Sequence, residues 1–209
     1  MNPSIADFEI HLSHPAPGFR CYAAGDETLA LRFTASVTHQ LKAPAKQKEL
    51  GRLESLLGWH DPDLHDLYER YNGFTLYCDT RSDDAGVRFF PVEELESTTR
   101  EVLGEFREME TDKLYGDLCD GVVIGEIPKS WNYFFYQTAP TRRGSIYYLM
   151  HDPLYEEGLR FESIGDLLSS IISDPPQFLY DLGCYTRFSD GVTDNQWIPS
   201  EYLRDAKSS

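Results

Sequence analysis

Two histidines and three aspartates stand within seven residues of the chain, in the segment from His60 to Asp66. Imidazole and carboxylate groups are common ligands of zinc, so this segment could bind a metal ion. On a helix, however, residues five positions apart point about 140° away from each other, whereas facing ligands prefer a spacing of four. Aspartates are also frequent in the first turn of a helix, where they interact favourably with its dipole. We therefore predict a helix N-terminus, with no metal at His60 or His65.

A second polar segment, from Asp79 to Gly86, resembles a calcium-binding loop. Arg81 stands where such a loop needs a ligand oxygen, and the closing glutamate is missing, so we predict a plain hairpin loop. The chain also lacks the motifs of a nucleophile elbow, a phosphate-binding loop, a dinucleotide-binding turn and a zinc protease. His151, at the end of a predicted strand, is interpreted as a packed histidine. These observations predict a protein that is not an enzyme and needs no cofactor; a hydrolase with two convergent carboxylates is the remaining catalytic alternative.

Acidic residues are concentrated in one part of the chain. The whole sequence has 35 acidic and 19 basic residues, which gives a net charge of −16. The stretch from Pro91 to Glu126 contains eleven acidic and three basic residues, so its net charge of −8 is half of the total. A charge of this sign and size repels nucleic acids and anionic membranes and attracts basic partners. We therefore predict a protein partner, and neither nucleic acid nor membrane.

The helix predicted after Val92 presents part of this charge on one face, beside its apolar stripe. Like charges four residues apart on a helix cost roughly a few tenths of a kcal/mol per pair, so stability alone does not favour them. This row of acidic side chains is either a solvated surface or a binding surface for a basic protein. The clustering of the charges favours the second interpretation. We predict that the partner-binding residues are Glu94, Glu101, Glu105, Glu108, Asp112 and Asp117.

The cysteines and the first residues of the chain predict a cytoplasmic protein. The four cysteines are far apart and form no cluster at zinc-ligand spacing, so we interpret them as reduced thiols. They are Cys21, Cys78, Cys119 and Cys184. Residues 1–10 contain no basic residue and no long apolar run, unlike a secretory signal. No stretch approaches the roughly 18 apolar residues that a membrane helix needs.

Hydrophobic periodicity predicts both helices and strands. The clearest helix begins at Pro62, behind the N-cap Asp61, and ends at Gly73. Its buried face is predicted to be Leu64, Leu67, Tyr68 and Tyr71. Further helices are predicted over residues 45–57, 92–109 and 164–172, with a helical turn over 177–182. Strands are predicted over residues 8–12, 74–78, 87–90, 121–125, 132–137, 145–151 and 159–161.

Helices followed by clustered strands and a closing helix predict an α+β fold, a single domain whose mainly antiparallel central sheet is flanked by helices. We predict an N-terminal extension over residues 1–45 that packs on the domain or adds to it, the domain itself over residues 46–182, and an irregular C-terminal tail over residues 183–209. Within the extension, residues 29–33 fit either a strand or a helix.

Four segments resemble the signatures of the SMI1/KNR4, or SUKH, superfamily. The helix that runs from Asp61 to the Asn72-Gly73 pair is similar to the first motif, and Val87–Leu95, a strand running through proline into a helix, is similar to the second. Val122–Gly125 matches the start of the third strand, and Leu159–Leu168 resembles the closing segment of strand, serine and helix. The match covers residues 46–175 in the family's order. Glu126–Trp131 departs from it, because many members have a turn rich in glycine and aspartate there.

The resemblance implies an α+β fold with helices around a central sheet, and a protein-binding role without catalytic residues. Many bacterial members resemble immunity proteins that neutralise a cognate polymorphic toxin, often a nuclease, whereas fungal members are regulatory binding proteins. Together with the acidic row, this predicts an immunity protein that binds a basic toxin domain. A regulatory or scaffold protein of SMI1/KNR4 type with a non-toxin partner is the alternative.

Overall fold

The computed structural model describes residues 5–26, 28, 30–79, 81–82, 85–108, 120–149, 159–181 and 186–203. The helices in these ranges are α1 (Ile5–Leu12), α2 (Gln47–Leu57), α3 (Pro62–Arg70), α4 (Val92–Glu108) and α5 (Ile164–Ser173), followed by a π-helical segment, Gln177–Asp181. The strands are β1 (Phe19–Ala23), β2 (Arg32–Ala35), β3 (Val37–Leu41), β4 (Phe74–Asp79), β5 (Val87–Phe89), β6 (Gly121–Ile127), β7 (Asn132–Gln137), β8 (Ile146–Leu149), β9 (Arg160–Phe161) and β10 (Trp197–Tyr202). None of the described helices is long and apolar enough to cross a membrane.

Seven strands form one large sheet in the order β3-β4-β5-β6-β7-β8-β9, so each strand pairs with its neighbours in the sequence. All of these pairings are antiparallel. A second sheet of three strands has the order β10-β1-β2. The helices and the large antiparallel sheet confirm the predicted single α+β domain.

One face of the large sheet carries a row of stacked aromatic rings. The ring centroids of Phe74 and Phe89 are 4.5 Å apart, and those of Phe89 and Phe134 are 5.6 Å apart with nearly parallel planes. Strand β6 lies between Phe89 and Phe134, and its residue at this position is Gly125. A Cβ there would come within 2.4 Å of the Arg88 carbonyl oxygen and 3.2 Å of the Phe134 ring. Glycine therefore allows the two rings to stack across the strand.

Helical segments cover this aromatic face. The ring of Phe8, in α1, lies 5.3 Å from that of Phe74, and Phe178 of the π-helical segment lies 5.7 Å from Tyr148. The strand predicted over residues 8–12 is wrong, because the segment is helical and buries Ile5 and Phe8, which are three positions apart. A run of five residues is too short to distinguish a period of two from a period of 3.6.

Helix α3 begins as predicted. The Asp61 carboxylate accepts hydrogen bonds from the amides of Asp63 at 2.9 Å and Leu64 at 3.1 Å, and Pro62 occupies the first helical position. These contacts satisfy backbone donors that a helix N-terminus leaves without internal partners. The predicted core residues Leu64, Leu67 and Tyr68 are buried.

The end of α3 differs from the prediction. The helix stops at Arg70, and Tyr71 is extended and half-buried. Gly73 does not act as the left-handed stop; it lies in the following turn with a φ of +88°. A Cβ on Gly73 would lie 2.8 Å from the backbone nitrogen of Pro91. The glycine is therefore needed for a close approach between two turns.

The segments outside the central region pair with each other. Strand β10 lies in the tail that was predicted to be irregular, and it runs antiparallel to β1, with Tyr202 opposite Phe19 and Trp197 opposite Ala23. Residues 32 and 33, left open between strand and helix, begin β2. Pro199 obscured the strand pattern of β10, because proline usually marks an edge or an irregularity in a sheet. It lies opposite Cys21, beside a shift in register.

Candidate protein-binding surface

Helix α4 carries the predicted acidic row, and Asn72 fixes where it begins. The Asn72 side-chain oxygen accepts a hydrogen bond from the Val92 amide at 2.9 Å, and its side-chain nitrogen donates to Glu93 Oε2 at 2.9 Å. Four residues before Asn72, the Tyr68 hydroxyl donates a hydrogen bond to the Phe90 carbonyl oxygen at 2.8 Å. The Val92 amide would otherwise be an unpaired donor at a buried helix start, which costs free energy. Asn72 therefore positions the helix as well as capping it.

The inner side of α4 packs on the sheet where β5 has ended. Val92, Leu95 and Val102 are buried there. The Thr99 hydroxyl oxygen accepts a hydrogen bond from the Val123 amide at 2.9 Å. The Val123 amide lies on β6 beyond the last residue pair between β5 and β6. Thr99 therefore supplies the acceptor for this backbone donor. One side of the helix is thus fixed against β6, and Glu96 of α4 also pairs with Arg52 of α2.

The outward glutamates of α4 differ in their partners. Glu96 forms salt bridges with Arg52 at 2.9 Å and with Arg100 at 3.0 Å, and the hydrogen bond from Arg52 lowers the pKa of its carboxyl group. Glu101 is exposed and Glu105 is half-buried, and neither forms a salt bridge with another described side chain. Arginines therefore neutralise Glu96, whereas Glu101 and Glu105 have no ion pair among the described side chains.

The predicted site residues lie along α4 or beyond its described part. Glu94 is exposed in the first turn, and spacings of seven and four residues place Glu101 and Glu105 on the same side of the helix. We call these three residues the acidic side of α4. Glu108 is the last residue of the helix, and Asp112 and Asp117 lie outside the described residues.

A groove of about 440 Å³ lies beside Glu94, between the start of α4 and strands β3 to β5. Leu41, on its wall, is 41% exposed, and Lys42 Nζ lies 3.9 Å from Glu94 Oε1. Arg88, also on the wall, pairs with Glu126 of the next strand at 3.0 Å. Burial raises the pKa of Glu126, and the charge of Arg88 opposes this shift. The groove thus offers apolar and charged groups together, as the core and rim of a protein interface do.

Comparison with protein-family models identifies the chain. The model described as the SMI1 / KNR4 family (SUKH-1) matches residues 44–170, which is well over half of the sequence. The chain belongs to this family. The family includes immunity proteins, and its domains are generally non-catalytic binding domains. A search of curated proteins found no match to the chain.

In this SUKH domain, the first two signature motifs meet at the start of α4. Tyr68, Asn72 and Gly73 belong to the first motif, and each contacts the turn at residues 90–93 of the second. The matched range contains α4 and most of the groove, whereas β3 and the three-stranded sheet lie outside it. The two motifs that resemble the family signatures therefore hold the start of α4, the helix on which the acidic side lies.

The hairpin between β6 and β7 exposes a tryptophan where the sequence departs from the family pattern. Trp131 is 50% exposed, and Trp131 and Lys129 have left-handed φ angles of 62° and 59°. Such conformations cost roughly 1–3 kcal/mol in non-glycine residues and are concentrated at functional sites. Tryptophans are also frequent anchors of protein interfaces. The sequence analysis did not predict Trp131 as a binding residue. The signal that could have indicated it is its position in Glu126–Trp131, the segment that differs from the family pattern.

A further feature that the sequence did not reveal is the convergence of His60 and His65. His60 lies in the connection between α2 and α3, so the argument from helical spacing does not apply to it. Glu54 Oε1, from α2, lies 2.8 Å from His60 Nδ1 and 3.7 Å from His65 Nε2. The sequence could not link Glu54 to the histidines, because it belongs to a different helix.

The buried aspartates in the described part of the chain hold the backbone in place. Asp79, which begins the segment resembling a calcium loop, accepts hydrogen bonds from the Arg81 amide at 3.0 Å and the Ser189 amide at 2.7 Å. Asp61 caps α3 and also accepts a hydrogen bond from the Tyr136 hydroxyl. Both carboxylates therefore serve the fold as backbone acceptors.

Proposed function

We propose that this SUKH domain is an immunity protein that neutralises a basic toxin domain by binding it with the acidic side of α4. The observation that carries the proposal is the contrast on this helix. Glu96 has two arginine partners, whereas Glu101 and Glu105 have no salt bridge to a described side chain. Carboxylates four residues apart repel each other, and they gain most from a partner that brings its own cations.

A nuclease toxin is the partner class that this charge fits best. A protein that grips nucleic acid carries clustered lysines and arginines for the phosphates. The net charge of −16 would speed the encounter with such a surface, and the acidic side would orient the domain on it. A protein seated on the phosphate-binding surface keeps nucleic acid away from it, so neutralisation requires no catalytic residue.

The groove and the β6–β7 hairpin supply apolar contacts beside the charge. Rim charges mainly change the association rate, whereas buried anchors mainly change the dissociation rate. Trp131 follows Glu126 by five residues in the same hairpin, and Glu126 pairs with Arg88 on the groove wall. The hairpin therefore lies at the end of β6 that borders the groove. Leu41 and Trp131 are the exposed apolar side chains proposed as anchors.

The first experiment takes a toxin domain from a reading frame found immediately upstream of the gene and measures its association with this protein at several salt concentrations. Changing Glu94, Glu101 and Glu105 to glutamine should slow association by about tenfold or more and weaken its salt dependence. The matched control removes three exposed acidic groups elsewhere, in Glu69→Gln, Glu162→Gln and Asp194→Asn. Because both triple variants have the same net charge, their difference isolates the local contribution of α4. Equal association rates would contradict the acidic side as the binding surface.

A regulatory or scaffold protein of SMI1/KNR4 type is the alternative, and it would use the same surface for a partner that is not a toxin. A toxin-like reading frame immediately upstream of the gene favours the immunity function. Protection of cells that express this toxin tests it directly. If the domain gives no protection and instead binds a non-toxic protein through α4, the regulatory function is correct.

A further inference from the structure

We infer from the geometry that Glu54, His60 and His65 form a binding site for a divalent transition metal ion such as Zn²⁺. One ligand atom from each side chain lies within 4.8 Å of the other two. His60 Nδ1 and His65 Nε2 both approach the same carboxylate oxygen, Glu54 Oε1, at 2.8 and 3.7 Å. The site is separate from the acidic side of α4 and does not depend on the function proposed above.

The spacing of these atoms fits the coordination of zinc. Zinc binds histidine nitrogen at about 2.0–2.1 Å and carboxylate oxygen at about 2.0–2.2 Å, so the ligand atoms of a tetrahedral site are about 3.3–3.6 Å apart. The two distances to Glu54 Oε1 lie on either side of this range, and small side-chain rotations bring them into it. The two imidazole rings, with centroids 4.9 Å apart, are inclined by 55° and are not stacked face to face.

Two helix ends and the short connection between them hold the ligands. Glu54 lies in the last turn of α2, and its carbonyl oxygen accepts a hydrogen bond from the C-cap Gly58 at 2.9 Å. His65 lies in the first turns of α3, behind the cap of Asp61. Asp61 also accepts a hydrogen bond from Tyr136, which ties the connection to the central sheet. The caps thus position the ligands before an ion binds, which lowers the entropic cost of binding.

The site is open to solvent on one side. The side chains of His60, Glu54 and His65 are 57%, 43% and 21% exposed. An ion can therefore enter from solution, and a fourth position is left for water or for a group from a partner. Two imidazoles and one carboxylate favour zinc, copper, nickel or cobalt over magnesium and calcium, which prefer ligand sets made of oxygen alone.

A bound ion would join the end of α2 to the start of α3. Helix α2 also supports α4, because Arg52 pairs with Glu96. An ion that binds the folded chain and not the unfolded chain raises thermal stability in a concentration-dependent way. The expected role is therefore to fasten two helices of the domain, and no reaction is assigned to the site.

Calorimetric titration of the full, tag-free chain with zinc chloride tests the inference. We expect one Zn²⁺ per chain and a Tm that rises with zinc concentration, with no response to magnesium chloride. His65→Ala and Glu54→Gln should each weaken zinc binding by at least about tenfold. His14→Ala removes an exposed histidine from another part of the chain and is the matched control, with affinity expected to equal that of the wild type.

Cobalt distinguishes this site from binding by thiolates. Co²⁺ held by nitrogen and oxygen ligands should show tetrahedral visible bands without the near-ultraviolet charge-transfer band of a thiolate, which would indicate cysteine ligands instead. Circular dichroism checks that each variant is folded, and His60→Asn provides a second test at the most exposed ligand. No zinc binding at millimolar concentration, unchanged binding in the folded variants, or a thiolate band would each overturn the inference, and the cluster would then be an ion pair only.

Discussion

The two faces of the seven-stranded sheet use their side chains differently. On one face, Phe89 and Phe134 stack in a fully buried row. On the other face, Arg88 and Tyr133, which precede Phe89 and Phe134 in their strands, are half-buried in a row that leads to the groove beside α4. Successive side chains of a strand point to opposite faces, so one step along the chain separates the two environments. Substitutions can therefore test stability and the proposed partner binding separately.

The largest expected effect is on the aromatic face. Phe134→Ala should lower the free energy of unfolding by about 3–5 kcal/mol, because it removes a buried ring and leaves a cavity in the row. Tyr133→Ala, at the adjacent position on the other face, is the matched variant and should cost less than about 2 kcal/mol. Urea unfolding measures both values. Equal losses in the two variants would remove the distinction between the faces.

A pH-dependent effect is expected at the β3 edge of the sheet, under α1. Burial, together with the charge of the nearby His11, lowers the pKa of His39 to about 4. In the unfolded chain the pKa of histidine is about 6.5, so between pH 6.5 and 4 the unfolded state binds a proton that the folded state does not. Stability should therefore fall as the pH decreases through this window, by less than roughly 3 kcal/mol for this group.

The glutamine variant His39→Gln isolates this contribution, because carboxyl groups also titrate at the lower end of the window. Glutamine keeps an acceptor for the Tyr77 amide, which now donates to His39 Nδ1 at 3.4 Å. Unfolding free energies of wild type and variant are compared at pH 7, 5.5 and 4.5. The variant should lose less stability than the wild type on acidification, and parallel losses would show that His39 is not the responsible group.

A smaller effect on stability is expected at Asn72, which holds the start of α4 through hydrogen bonds to Val92 and Glu93. Asn72→Ala removes the acceptor for the Val92 amide and the donor to Glu93, and it should cost about 1–2 kcal/mol, as the loss of a helix cap does. Hydrogen exchange gives the local readout, since the Val92 amide should lose protection while amides of β6 and β7 keep theirs. A uniform loss of protection would instead mean that Asn72 supports the whole sheet.

Sequence patterns predicted the elements whose signals are local. Asp61, Pro62 and the apolar spacing behind them located α3, and the period of α4 placed Glu94, Glu101 and Glu105 on one side. Strands β1 and β10 were missed because Phe19 pairs with Tyr202, at the other end of the described chain. The ion pair between Glu96 and Arg52 was not predictable either, because Arg52 comes from another helix. A periodic pattern predicts the face of an element on which a side chain lies, but it does not predict which residue of another element contacts that side chain.

The smallest expected effect is on the acidic side of α4, where the sign of the change in unfolding free energy is informative. The double variant Glu101→Gln/Glu105→Gln relieves a repulsion between carboxylates four residues apart, so the unfolding free energy should stay the same or rise by a few tenths of a kcal/mol. Glu96→Gln, on the other side of the same helix, loses two ion pairs and should be destabilised by up to about 1 kcal/mol. Thermal unfolding at low salt and at 1 M salt measures both, and salt should shrink the two differences because it screens exposed charges. If the double variant is instead clearly destabilised, these carboxylates have partners within the fold, and their charge is not left available for a basic protein.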